Sequence, residues 1–255
     1  MLLTDGNPNN TMALTVYETE VLNLAATEGI NLDQKLGLAT EEISEAVLEF
    51  LLDHTRMVDP LLNLRRTIGV SDVMVSTQMT RWHALHTLAI VYRDAFNNQL
   101  NDRYLAKWRE YQQLAKDGAT RTFSYGIGLV SNPVPEAQAP SLGTANGAGE
   151  GGTFYVQVTW VGLNGAEGAP SLATALTVAA LNDLVVQGVN PPAVATGFNV
   201  YVGTCANGAT LQNASPLAVG ETYTMPDSGL TVGAPVGTGQ AADIYITGGP
   251  MLRRG

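Results

Sequence analysis

Three histidines, one cysteine and a run of carboxylates are the side chains of this sequence best equipped for chemistry. His83 and His86 stand three apart, a spacing that lets two imidazoles share one face of a helix and hold a metal. No acidic or thiol motif lies beside them, and His86 falls on an apolar face, so packing is the expected role. His54 falls at a helix end, where a cation complements the dipole. Cys205 sits in a Gly/Asn turn with no apparent base, and a thiol without one is a poor nucleophile. Glu41, Glu42, Glu45 and Glu49 share one helix surface, which reads as a solvated acidic face and not as an acid–base pair. The sequence contains neither a phosphate-binding Walker loop nor a G-x-S-x-G elbow. "GIGLVS" has the wrong setting for a nucleotide loop, since no strand-to-helix turn surrounds it. These readings predict no enzyme, no cofactor and no metal.

Charge narrows the class further. Of 255 residues only 14% are charged, against ~25% in an average domain, and the net charge is −10. A free nucleic-acid binder carries a basic face, and this balance argues against one. Eleven of the thirteen Lys and Arg precede Gly126; the other two are Arg253 and Arg254. A single cysteine excludes an intrachain disulfide. "MLLTDGNPNNTM" lacks the basic and apolar regions of a signal peptide, and no apolar run reaches the ~18 residues of a membrane helix. The expectation is a soluble protein made in a cytoplasm, with no membrane contact.

The elements that must position these residues change period along the chain. Residues 1–12 read as a flexible arm. Thr15 and Glu18 suggest a capping box opening a helix that ends near Gly29. Thr40, followed by Glu41 and Glu42, suggests another start, with Ile43, Val47, Phe50 and Leu51 on its buried face. "DPLLNLRRTIGV" reads as a connector. A third helix begins near Ser76, with Met79, Trp82, His86, Ala89 and Phe96 along one side. "LNDRYLAKWREYQQLAKDGA" supplies a fourth, capped by Asn101 or continuous with the third through a kink, and ending at Gly118. Its stripe of Tyr104, Trp108, Tyr111 and Ala115 is expected to be core, because a base-stacking platform needs a basic groove. After Gly152 the period falls to two. "TFYVQVTWV", "LATALTV", "GFNVYVG", "ETYTMP" and "DIYIT" read as short strands of a β-sandwich.

The fold class expected is therefore α + β multidomain: a small N-terminal α-helical bundle with an extended arm, then a C-terminal all-β immunoglobulin-like sandwich. The expected boundaries are 1–12 for the arm, 13–125 for the helical domain, 126–152 for the extended arm and Gly/Pro-rich linker, 153–250 for the sandwich and 251–255 for a tail.

The stretches "ALTVYETEVLNLAATEGI", "LNDRYLAKWREYQQLAKDGA" and "RTFSYGIGLVSNPVP" resemble, in pattern and order, the head–tail connector (adaptor) proteins of tailed bacteriophages over roughly residues 12–135. The C-terminal half resembles immunoglobulin-like or fibronectin type III modules through "VQVTWVGLNGAEGAPS", "TGFNVYVG" and "ETYTMPDSGL", without the cysteine pair of antibody domains. The resemblance implies a homo-oligomeric ring, commonly dodecameric, in the neck of a virion. Its partners would be the portal protein and the next neck or tail protein, with double-stranded DNA passing through unbound. Phe123, Tyr125, Ile127, Leu129 and Val130 are the candidate contacts to a neighbouring subunit or neck protein, with folding back onto the chain's own bundle as the alternative. Glu41, Glu42, Glu45 and Glu49 are one candidate lumen lining. The other functional readings are a surface-binding protein and a capsid-decoration protein carrying the same module.

Overall fold

The computed structural model describes residues 1–55, 68–100 and 102–248. The chain is α+β and divides into two compact units, one formed by residues 3–131 with the C-terminal segment from Ala242, the other by Met1, Leu2 and residues 132–241.

The first unit is helical: α1 (Thr11–Leu14), α2 (Val21–Glu28), α3 (Leu32–Thr55), α4 (Thr77–Gln99) and α5 (Asp102–Tyr125). Ser76 caps α4 through the Met79 N–H, and Gly29 closes α2 in the left-handed region at φ 66°, both as the sequence suggests. Three boundaries differ. Thr40 is not a cap: α3 already starts at Leu32, where Asn31 accepts the Gln34 N–H. Thr15 opens no capping box: it closes α1, its hydroxyl donating back to the Met12 carbonyl, and α2 starts only at Val21. Gly118 does not end α5, which runs on to Tyr125. A Cβ there would stand 3.4 Å from the Trp82 backbone, so glycine lets α5 pack closely on α4. α4 ends at Leu100 in the left-handed region, which makes α4 and α5 two helices. The expected connector falls mostly outside the described residues, as do the Asn101 cap and the 251–255 tail. Among the described residues no helix is long and apolar enough to cross a membrane.

A small sheet closes this unit. Strand β1 (Ile127–Leu129) pairs antiparallel with β10 (Ile244–Ile246), in the register Ile127↔Ile246 and Leu129↔Ile244. On its other edge Val130 donates to Asp72, and Met74 donates to Gly128. "DIYIT" is therefore no sandwich strand. It alternates like one, but its partner is the arm at Ile127–Leu129.

The second unit is a β-sandwich. One sheet has the order β2–β5–β9 (Ser141–Asn146, Asn182–Gln187, Thr222–Thr224). The other has the order β4–β3–β6–β7 (Thr174–Val178, Gly152–Gly162, Ala195–Gly203, Thr210–Leu211), with β8 (Leu217–Ala218) also on β6. Strands B–E and C′–C–F–G of an immunoglobulin-type sandwich pair in this way. Here β9 takes the place beside E usually held by D, and the described residues provide no counterpart of strand A. The core alternates as the sequence predicts: Phe154, Val156, Val158 and Trp160 of β3 meet Phe198, Val200 and Val202 of β6, and Leu184 and Val186 face them from the other sheet. The expected linker is not one throughout. Ser141–Asn146 is a full partner of β5, hidden from a period reading by its Gly, Ala and Thr.

Candidate functional site

The aromatic stripe of α5 is core, and its hydroxyls are fastened. Tyr104, Tyr111 and Ala115 are each about 5% exposed or less. Tyr111 stacks on Tyr92 with ring centroids 5.5 Å apart and donates to Glu18 at 2.9 Å. Tyr104 donates to Glu28 at 2.9 Å. Lys107 completes the knot with an ion pair to Glu18 at 2.9 Å. Burial would raise the Glu18 carboxyl, but the Lys107 ammonium and the Tyr111 hydroxyl outweigh it and hold it below the ordinary range. Burial and the nearby Glu18 push the Tyr92 and Tyr111 phenols upward. Trp108 differs from the rest of the stripe: it is half-buried against Phe96.

The two histidines of α4 point to different tasks. His83 is fully buried. Its Nδ1 lies 3.0 Å from the Asn9 amide, which donates to it, and its Nε2 lies 3.1 Å from the Leu36 carbonyl and 3.0 Å from Thr40 Oγ1. Burial, opposed by the Leu36 carbonyl, lowers its pKa to about 4, so it is a neutral ring holding residues 7–9 against α3 and α4. Residues 1–12 are thus no loose arm: Leu3 is buried in the core and Asn7 accepts from Thr40. His86 instead pairs with Glu42 at 2.5 Å. Among the described residues no three His, Cys, Asp or Glu side chains gather as a metal site.

Beyond His86 a groove of about 270 Å³ runs over α4, with Glu42 of α3 on one wall and Trp108 and Lys116 of α5 on the other. It exists because three of its lining positions are small: Ala89, Ala115 and Ala119. That row of small residues beside Trp82 and Trp108 was the available sequence signal, although periodicity alone reads it as ordinary core. The Arg93 and Lys116 rim and the Glu18–Lys107 pair are not legible in the sequence, since the first needs two helices in register and the second joins the α1–α2 loop to α5.

The expected contact residues separate. Ile127, Leu129 and Val130 are each 5% exposed or less, inside the helical unit's own core and sheet. Phe123 stacks on Phe50 at 4.6 Å and meets Trp82 edge-on. Only Tyr125 is open, at 69% exposure. Four of the five thus pack within the helical unit itself. Of the acidic residues, Glu41, Glu45 and Glu49 are exposed, whereas Glu42 is engaged with His86.

In the second unit every Trp and Tyr is buried or half-buried, Trp160 lying edge-on to Phe198 in the core. A surface-binding module with aromatic side chains clustered on its loops would differ. Glu167 covers the outer face of β3 and β6, accepting from Thr159 at 3.0 Å, from Tyr201 at 2.7 Å and from Asn199. Compared with known proteins, the chain matches no protein-family model and no curated sequence.

Proposed function

We propose that this protein is a structural component of a tailed-phage neck: a head–tail connector whose helical unit forms the ring and whose sandwich is displayed from it. The observation that carries this reading is connectivity. The chain leaves the helical unit after β1 and re-enters it at β10, so the sandwich is an insertion into a base that closes on itself. Ser131 donates to Asp243 at 2.8 Å and Asp243 donates to Leu129 at 2.8 Å, so exit and return lie side by side. Within the sandwich, Gln240 likewise ties its two ends, accepting from Val134 and donating to Asn132. A module held by both ends at one point can be carried on a base without entering its core.

The charge of the chain fits the task. DNA passing through a ring must not adhere, and each phosphate neutralised by Lys or Arg adds affinity. A net charge of −10 repels the backbone and keeps it mobile. Negative-stain imaging and native mass spectrometry of the purified full chain test the reading. A closed ring of about a dozen copies is the expected result, that being the size the family resemblance implies; a trimer or a monomer would favour a decoration protein.

A further inference from the structure

We infer that copies of this chain associate head to tail, with the outer face of α3 of one copy seated in the α4–α5 groove of the next. The inference deepens the ring reading and rests on it only for closure into a ring.

Charge is segregated within the helical unit. Residues 11–55 carry nine carboxylates and one lysine, whereas residues 77–125 carry seven Lys and Arg and four carboxylates. The ion pairs within the unit, such as Lys35–Asp94 and Lys107–Glu18, leave much of this imbalance standing. Glu41, Glu45 and Glu49 have no ion partner among the described residues, and neither does the exposed Lys116.

Shape follows charge. Leu48 and Leu52 are 38% and 45% exposed. They stand one turn apart among the three glutamates, on the side of α3 turned away from its buried Ile43–Val47–Leu51 row. An apolar pair inside an acidic rim is the kind of helix face that docks in a groove. The groove offers the complement: apolar residues that include Trp108, two cations in Arg93 and Lys116, and on the opposite wall a carboxylate, Glu42, already engaged by His86. Its volume of about 270 Å³ is just under the ~300–1,000 Å³ of small-ligand sites, and it suits inserted side chains. The spacing also agrees. Glu41 and Glu49 are eight residues apart, about 12 Å along a helix. Gly118 lies against Trp82, which sets Lys116 level with residues 84–85 of α4. Arg93 is then about 12 Å further along the groove.

Two complementary faces on one chain make a heterologous contact, which propagates until it closes or forms a filament. Chains with a net charge of −10 repel one another at long range, so association needs such a local match. Glu41, Glu45 and Glu49 are thereby placed at a subunit contact and not along the lumen.

Charge exchange in the full chain tests this. Glu45→Lys with Glu49→Lys, or Arg93→Glu with Lys116→Glu, should each weaken assembly more than about 100-fold, because like charges then oppose each other across the contact. Circular-dichroism melts of both variants should match the parent. All four substitutions in one chain should restore assembly, and raising salt from about 0.05 to about 0.5 M should weaken the parent's. Sedimentation velocity reads each state. Single-face variants that form rings of parental size would overturn the contact and leave the ring reading intact. A four-fold variant as dispersed as the single-face variants, with an unchanged melt, would also overturn it. A parent chain that stays monomeric at every concentration would overturn both.

Discussion

His83 makes the helical unit sensitive to acid. A free histidine takes its proton near pH 6.5, whereas His83 in the fold does so only near 4. Between these values the unfolded chain binds a proton that the folded chain refuses. Stability therefore falls as pH drops from about 6.5 to about 4, by up to about 3 kcal/mol, and this contribution changes no further below that. Glu18 has the depressed pKa of a paired acid, so its stabilisation is present above its ordinary value of 4.5 and is lost as pH falls through the lowered one. Urea denaturation at pH 7 and pH 4.5 should show the loss, and His83→Gln should flatten it. Tyr111→Phe removes a hydroxyl from Glu18 and should cost about 1–3 kcal/mol at neutral pH. Trp108→Ala should cost less than the ~3–5 kcal/mol of a fully buried aromatic, because that ring is only half covered. Equal costs for Trp108 and the buried Trp82 in thermal melts would contradict that ranking.

At the scale of the element, β1 and β10 decide how the arm behaves. A strand carrying Ile127 and Leu129 is an aggregation hazard with free edges, and the chain resolves this by pairing it with Ile244–Ile246 on one side and residues 72–74 on the other. Ile127→Asp with Leu129→Asp should therefore unfold the helical unit, since two carboxylates would be buried without partners, each at several kcal/mol. The expected observation is lost helical ellipticity. A folded variant that merely fails to assemble would return these residues to an intersubunit role. By the same physics, a chain ending near Ala139 lacks β10 and should be unstable, even though it keeps every helix.

For the whole molecule, the insertion makes a sharper prediction. Deleting residues 132–241 and joining Ser131 to Ala242 through a short Gly-Ser turn should leave a β1–β10 hairpin and an intact helical unit, because the two ends already exchange hydrogen bonds. Its helical signal and melting should match the helical transition of the full chain. If the shortened chain is disordered, the sandwich contributes to the folding of the base. Residues 132–241 alone should give an independent β transition from their own core of Trp160, Phe198, Val200 and Leu184.

Periodicity and side-chain type alone determined the two regimes of this chain. The 3.6 spacing of Ile43, Val47 and Leu51 placed a buried helix face, the alternation from Phe154 to Trp160 placed a strand, and Ser76 and Gly29 marked helix ends. Each is a local signal, carried by neighbouring residues and read without knowing the partner. Tertiary structure decided the rest. Thr40 starts no helix because one already under way overrides a capping preference, and Gly118 ends none because its reason is the Trp82 backbone on another helix. "DIYIT" has a strand's pattern, but which strand it meets depends on a chain return of more than a hundred residues. Ser141–Asn146 is a strand with almost no apolar signal, stabilised by its ladder to β5. The Glu18–Lys107–Tyr111 knot, the His83 lock and the α4–α5 groove each need groups from distant parts of the chain held within hydrogen-bonding or packing distance, and no local pattern encodes that proximity.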